Sequence, residues 1–487
     1  MYVILNSSGF TYDVHSLVKA FYPDEDVNVL ASVPGDETAD ITVNVTPEEV
    51  GTNIPVSGNI RVTAGTDENE TSCEAPYKDL ERGDVKNLLK RSLYDVLSKI
   101  TGKKLPWGTM TGIRPTKVVM KLLREGTDDA GIREYMRSVY LCSDEKTALA
   151  TDIAHREHEI LDGLGSDGFS LYIGIPFCPT TCLYCSFTSY PIVKWKDRTD
   201  DYISAVKREL DLFAGYYKGR PVHSLYIGGG TPTTLSATQL YDLACYAKER
   251  FDTSDLREFT VEAGRPDSID PEKLKALKDA GADRISINPQ TMNEKTLKII
   301  GRRHSPDDVY RAFEMARSAG FTNINTDLIL GLPGEDENDV RYTFDRIAEL
   351  APDSLTVHSM AIKRAAGMHE FLAMHQDIIS CNTPEMMEIA QDGAASIGLV
   401  PYYLYRQKNM AGNFENVGYA RKDCYGIYNI VMMEEVEDIA AAGAGTISKH
   451  IYEDGRIERC DNVKDVALYL DRIDEMIDRK KKLLSYT

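Results

Sequence analysis

From Phe169 onward the sequence keeps one rhythm: a short apolar segment, a loop, then one or two helix-patterned segments of crossover length. The candidate strands are FSLYIGI (169–175), HSLYIGG (223–229), EFTVEAG (258–264), RISINPQ (284–290), TNINTDLIL (322–330) and SLTVHSMAI (354–362). Strands separated by such crossovers run parallel, whereas antiparallel neighbours need only a tight turn. Six units fall short of the eight of a complete barrel, so an open doubly wound sheet and a partial barrel both fit. In either, chemistry belongs at the C-terminal strand ends.

The flanking segments read differently. Up to about residue 105, apolar and polar residues alternate in short bursts such as Ile41, Val43, Val45 and Ile60, Val62. A helix-spaced stretch follows, DVKNLLKRSLYDVLSKI, with Gly102 just past its end, so 1–105 is expected to be a small α+β domain. The segment 106–168 reads as a helical connector: RPTKVVMKLLREG carries Pro115 at a start and Gly126 at a stop, and GLGSDG (163–168) breaks the last helix. On that last helix His155 and His158 stand three apart among charged residues, a pattern more often solvated than metal-binding. The repeating region then occupies 169–370 and a C-terminal α/β cap 371–487.

Composition narrows the function. Lys and Arg number 56 against 76 Asp and Glu, a formal charge of -20, the wrong sign for a protein that holds phosphate backbones, so nucleic acid is not an expected partner. No apolar run approaches membrane-spanning length, and MYVIL is too short for a signal peptide, so the expected location is the cytoplasm. Nine cysteines, an odd number, argue for a reducing compartment over a disulfide framework. Cys73, Cys142, Cys245, Cys381, Cys424 and Cys460 are scattered singly and read as small buried hydrophobes.

The other three are clustered. IPFCPTTCLYCSF sets Cys178, Cys182 and Cys185 in CxxxCxxC spacing, directly after the first strand of the repeating region. Three thiolates within eight residues can wrap one iron–sulfur cluster and leave its fourth iron open. A cluster used only for electron transfer is an alternative; a zinc site is another, but it wants four protein ligands and no second CxxC exists in the sequence. Further candidates stand at strand ends: Gly228, Gly229, Gly230 and Thr231, then Glu262, Gln290, Arg302 and Asp327. Glycines there admit close backbone approach to a ligand, though a bare GGG can be just a turn. Arg302 and Asp327 are also compatible with a buried ion pair.

CxxxCxxC with Tyr184 before its last cysteine, on the first loop of a six-unit parallel array, resembles the radical S-adenosylmethionine superfamily. That resemblance implies a partial (β/α)6 TIM-like barrel, a [4Fe–4S] cluster on Cys178, Cys182 and Cys185, and one-electron cleavage of S-adenosylmethionine to a 5′-deoxyadenosyl radical. In order and spacing, YIGIPFCPTTCLYC, GGGTPT, TVEAG, ISINPQTMNEKTLKIIGRRH, NTDLILGLPGE and HSMAI resemble the oxygen-independent coproporphyrinogen III oxidase family. By that resemblance Tyr172, Tyr184, Gly229, Gly230, Thr231, Glu262, Gln290, Arg302, Asp327 and Ala361 would line the site for S-adenosylmethionine, of which the family's best-known member holds two molecules. AAAGAGTISK (440–449) resembles a family Gly-x-Gly stretch and adds Ile447.

The N-terminal extension, GTMTGIRPTKVV, EAGRPD and INPQTM are most similar to the HemZ branch of that family. It implies oxidative decarboxylation of coproporphyrinogen III propionates to vinyl groups, giving protoporphyrinogen IX in haem biosynthesis, with an external electron donor such as flavodoxin or ferredoxin. The four substrate carboxylates would call for cations, and Arg265, Lys363, Arg364, Arg406 and Lys408 are candidates. For the proton donor the sequence offers only Tyr172, His358 and Tyr405. Phe187 stands where established coproporphyrinogen dehydrogenases carry a further cysteine, as it does in the haem-chaperone branch. Haem binding and radical chemistry on another substrate are therefore the alternative readings.

Overall fold

In ITVNVT the alternation turns Ile41, Val43 and Val45 to one buried face, the mark of a strand covered on one side. The computed structural model describes residues 1–23, 25–34, 37–51, 54–65, 70–361, 367–375, 378–407 and 414–485. It divides into two units, Met1–His155 with Leu404–Glu415, and Arg156–Tyr403 with Asn416–Thr487.

The first unit begins with β1 (Tyr2–Leu5), α1 (Thr11–Phe21), β2 (Asn28–Leu30), β3 (Ile41–Thr46), β4 (Val56–Ala64), β5 (Thr71–Leu80) and α2 (Arg82–Thr101). Its sheet runs β2-β1-β3-β4-β5, with β1 parallel to both neighbours and β3, β4 and β5 antiparallel. Val85, Leu89, Leu93, Val96 and Leu97 recur at helical spacing on α2 and join Val14 and Leu17 of α1 and Ile60 and Val62 of β4 in one core. That helix stops where Gly102 takes φ +68° and returns its N–H to Ser98 O, a conformation costly for a residue with a Cβ. Three helices follow, α3 (Thr116–Arg124), α4 (Asp129–Tyr140) and α5 (Asp144–Asp162), the last of which belongs to the first unit only up to His155. On α5 the two histidines face separate carboxylates, His155 with Asp129 and His158 with Asp162, each at 2.8 Å.

The second unit opens with β6 (Phe169–Ile175), the two-residue strands β7 (Phe177–Cys178) and β8 (Tyr190–Pro191), α6 (Thr199–Tyr216), β9 (Val222–Gly229) and α7 (Ala237–Arg250). It continues through β10 (Glu258–Glu262), α8 (Pro271–Asp279), β11 (Arg284–Ser286), α9 (Glu294–Ile299), α10 (Pro306–Ser318), β12 (Asn323–Leu330), α11 (Glu337–Leu350) and β13 (Ser354–Ser359). Beyond lie α12 (Met368–Met374), α13 (Pro384–Ser396), β14 (Val400–Tyr405), β15 (Asn416–Ala420), α14 (Ile427–Glu434), β16 (Asp438–Ala442), β17 (Ile447–Ile451), β18 (Ile457–Asp461), α15 (Val466–Asp471) and α16 (Ile473–Ser485).

One large sheet results, in the order β14-β15-β13-β12-β11-β10-β9-β6-β16-β17-β18. β6 and β9 to β13 are parallel, as the repeated rhythm predicts. The sheet ends at β14 and β18 without closing, so the architecture is a partial TIM-like barrel extended by C-terminal strands. The sequence rhythm predicts six parallel strands; the structure adds β16, parallel to β6, from far along the chain. All five residues of DIAAA are buried, and a short run of small side chains carries no periodicity by which to recognise it.

Between β16 and β17 the turn Gly443–Thr446 is held from below by a buried polar knot. Glu209 on α6 accepts from Gly443 N at 2.8 Å, from Asn462 Nδ2 at 2.9 Å and from Tyr469 Oη, and is paired with Lys480 of α16. Lys480 Nζ also donates to Ala441 O at 2.7 Å, and neither charged side chain is exposed.

Candidate functional site

The loop 179–189 leaves β7 and returns at β8, and the pairing of Phe177 with Tyr190 and of Cys178 with Pro191 closes its base. Neighbouring strand ends fasten it. Thr231 N donates to Phe177 O at 2.7 Å, Leu183 N to Ile300 O at 3.0 Å and Met368 N to Leu183 O at 3.1 Å, while Thr180 Oγ1 reaches Gly301 O. All three cysteines are half-buried free thiols. Burial pushes the Cys178 thiol up to about 11, against the Thr231 hydroxyl 3.4 Å away, and raises Cys185 as well. Such thiols stay protonated until a metal displaces the proton, which makes metal loading a proton-releasing event.

Among the described residues, no three His, Cys, Asp or Glu side chains close on a point as ligands of a single ion do. A multi-iron cluster takes its thiolates on separate irons, so its ligands stand around a volume instead. The surroundings fit such a group. A Cβ on Gly230 would lie 2.7 Å from Phe177 O and 3.0 Å from Cys178 Sγ, so only glycine permits the backbone to pass behind the thiol. Tyr184 and Arg302 stand beside the triad: Arg302 Nη2 donates to Tyr184 Oη at 2.8 Å, Nη1 donates to Gly264 O and Asn288 O, and Nε has no partner among the described residues.

The remaining sequence candidates gather at the same end of the sheet. Gly229 closes β9 with φ +108°, Glu262 ends β10, Asp327 lies on β12 and Ala361 follows β13. Gln290 follows β11 in the left-handed region, φ +71°, fixed by bonds from its N to Asp327 O and from Ile329 N to its own O. For a non-glycine residue that is stored strain, of the kind that collects at ligand sites. Desolvation pushes the Glu262 carboxyl up to about 7, although Tyr226 Oη donates to it at 2.7 Å. Asp327 feels the same desolvation, but His358, 3.9 Å away, and Asn325 Nδ2 at 2.8 Å outweigh it and hold that carboxyl below its ordinary value.

Tyr172, Tyr226 and Tyr428 form a triangular aromatic cluster, with centroids 5.9 Å (Tyr172–Tyr226), 5.7 Å (Tyr172–Tyr428) and 4.6 Å (Tyr226–Tyr428) apart. Burial raises the Tyr172 hydroxyl well above the ordinary tyrosine range, so it is a neutral wall of the site. Ile447, 48% exposed, begins β17 after the Gly443–Thr446 turn. That turn approaches the cysteine loop so closely that a Cβ on Gly445 would lie 2.6 Å from Thr188 Oγ1.

Two of the cationic candidates are committed elsewhere. Arg265 is 3% exposed and bonded to Asp267, Thr180 and Cys182, so its donors face the cysteine loop and not an open pocket. Arg406, in the first unit, is 5% exposed, with Nη1 donating to Met110 O at 2.6 Å and its guanidinium over the Trp107 ring. Tyr405 lies in that same first-unit segment. Lys363, Arg364 and Lys408 lie outside the described residues. The sequence reading missed Tyr226, Tyr428 and Asn288. For Tyr226 a signal existed: it stands two residues before Gly228 on β9, on the same face of the strand.

Residues 172–347 match the Radical SAM superfamily. Over 92% of this chain and 91% of the relative, the sequence is 38% identical to the oxygen-independent coproporphyrinogen-III oxidase-like protein HemZ of Bacillus subtilis. The chain therefore belongs to the radical SAM superfamily and, within it, to the oxygen-independent coproporphyrinogen III oxidase family, with HemZ as a full-length relative. Its cofactors are those of the superfamily, a [4Fe–4S] cluster and S-adenosylmethionine. The heme chaperone HemW of Bacillus subtilis is 39% identical over 196 residues, 40% of this chain and 51% of that protein. Coproporphyrinogen III oxidase HemN of Escherichia coli, 24% identical, shares the fold with a TM-score of 0.51 over 64% of this chain and 70% of that one. Among the described residues no helix is long and apolar enough to cross a membrane.

Proposed function

We propose that the chain oxidatively decarboxylates two of the four propionate side chains of coproporphyrinogen III to vinyl groups, giving protoporphyrinogen IX, in the cytoplasm. The observation that carries this reading is the extent of the likeness to a coproporphyrinogen-III oxidase-like protein: 92% of the chain, not the radical SAM region alone. In it Cys178, Cys182 and Cys185 hold the cluster, leaving one iron for S-adenosylmethionine. Together these cofactors supply a one-electron cleavage that ends in hydrogen abstraction from the substrate. Each of the two reacting propionates then loses one hydrogen atom, carbon dioxide and one further electron, so an external donor such as flavodoxin or ferredoxin and an external acceptor complete the balance.

The protein's own groups bind and shield. Glu262 accepts from the ammonium or a ribose hydroxyl of S-adenosylmethionine; Gly229, Gly230 and Thr231 offer backbone at close approach. Gln290, Arg302, Asp327, Ala361 and Ile447 complete the lining, and the Tyr172 stack excludes water. Tyr226 acts through Glu262. Its hydroxyl, 2.7 Å from Oε1, orients the carboxylate and holds its proton affinity down. A hydrogen bond to a charged group contributes about 1.5–3 kcal/mol, so Tyr226→Phe is expected to weaken S-adenosylmethionine binding roughly tenfold by calorimetry, with cluster content unchanged. Unaltered affinity would remove Tyr226 from the site.

The deciding experiment is anaerobic: reconstitute and reduce the protein, supply S-adenosylmethionine and coproporphyrinogen III, and quantify 5′-deoxyadenosine, carbon dioxide and vinyl porphyrins. Vinyl product matched to carbon dioxide is expected. 5′-Deoxyadenosine without vinyl product would sink this substrate. The 39% identity to the heme chaperone HemW favours a second reading, haem binding, which a stable Soret band on added haem without vinyl product would support.

A further inference from the structure

Thr231 and Arg265 each donate to a sulfur of the triad, and they differ in charge. Thr231 Oγ1 lies 3.4 Å from Cys178 Sγ and carries none; Arg265 Nη1 lies 3.5 Å from Cys182 Sγ and carries a full positive charge. The guanidinium is locked. Nε and Nη2 each meet a different oxygen of Asp267 at 2.9 Å, and Nη1 also reaches Thr180 Oγ1 at 3.1 Å. Asp267 therefore sits on the side of the guanidinium away from the thiol and supplies its counter-charge. Arg302 adds a second buried guanidinium close enough to Cys182 to interact with it. Such an arrangement is more than a loop anchor, because Arg265 already has Thr180 for that purpose.

Reduction adds one electron, and so one negative charge, to a cluster that three thiolates already make electron-rich. A charge-assisted donor to a thiolate favours the more negative state, and burial strengthens the effect. A carboxylate behind the donor works in the opposite direction.

We propose that Arg265 and Asp267 form a tuning pair for the cluster: the guanidinium raises its reduction potential through Cys182 and the carboxylate offsets part of that rise. This rests on the assignment of the cluster to Cys178, Cys182 and Cys185. Arg265 is thereby a positioning residue for the electron-transfer step, in which a low-potential one-electron donor is oxidised and the cluster reduced, and not a ligand of substrate carboxylates.

The test is an anaerobic redox titration of the reconstituted protein, followed by the electron paramagnetic resonance signal of the reduced cluster, with iron and sulfide measured first. Arg265→Gln is expected to lower the equilibrium constant for one-electron reduction about tenfold, a shift of ~59 mV to more negative potential. Asp267→Asn is expected to move it the other way, and Arg265→Lys to recover most of the loss. Because Asp267→Asn keeps the arginine, it reports even if Arg265→Gln fails to hold iron. Midpoints equal to wild type in the variants that load would overturn the tuning role while leaving the cluster in place. A wild-type protein that takes up no iron and sulfide would instead overturn the assignment beneath it.

Discussion

Changing Cys178, Cys182 or Cys185 singly to alanine is expected to abolish both the brown cluster and all 5′-deoxyadenosine formation, reducing product to the level of a protein-free blank. The expected effect is this large because all three ligands come from one short loop, and among the described residues no second group of three or more His, Cys, Asp or Glu could hold a metal in its place. An iron that has lost its thiolate is left to solvent, and a cluster missing one of three protein ligands dissociates. Cys381, exposed, and Cys73, on β5 of the other unit, are the matched controls, whose alanine variants should retain full iron. Iron content, absorbance and 5′-deoxyadenosine yield check all five proteins. A triad variant with wild-type iron and turnover would end the cluster assignment.

The second large effect lies below the site. Lys480→Met is expected to destabilise the second unit by about 3–5 kcal/mol, because it strands the Glu209 carboxylate in the interior without its cation. Glu209 would still have Gly443 N, Asn462 Nδ2 and Tyr469 Oη, which are dipoles and not charges. The double variant Glu209→Gln with Lys480→Met should recover most of the loss, since replacing a buried pair costs far less than breaking it. Chemical denaturation of the full chain, followed by tyrosine and tryptophan fluorescence, measures both. A single variant as stable as wild type would mean the pair contributes little. Because Glu209 fixes Gly443, the loss of stability should be accompanied by weaker S-adenosylmethionine binding.

Much of this was legible in the chain itself. The parallel strands were readable because apolar runs covered on both faces, such as FSLYIGI, alternate with helix-spaced stretches. Once their ends are known, Glu262, Gln290 and Asp327 fall at one end of the sheet. Side-chain direction was not legible. Arg265 stands near a strand end, where a substrate carboxylate could be expected, yet Asp267 two residues on and Cys182 on another loop fix its guanidinium. Arg406 looked similar in sequence and is folded into the first unit by Met110 O. The Tyr172–Tyr226–Tyr428 cluster joins three elements, and nothing local in the sequence announces such a meeting. The approach of Gly445 to Thr188 is likewise visible only in three dimensions.

The seventh parallel strand has a consequence for biogenesis. β6, which leads into the cysteine loop, is made early in the repeating region, but its partner β16 is made only after every other parallel strand. During synthesis, which orders folding from the N-terminus, β6 therefore exposes an unsatisfied edge until the C-terminal segment emerges. The turn that closes over Thr188 arrives with that segment. The cysteine loop thus gains its contacts to Thr231 and Ile300 before its contact to Gly445, and its last wall is the last part of it to be made.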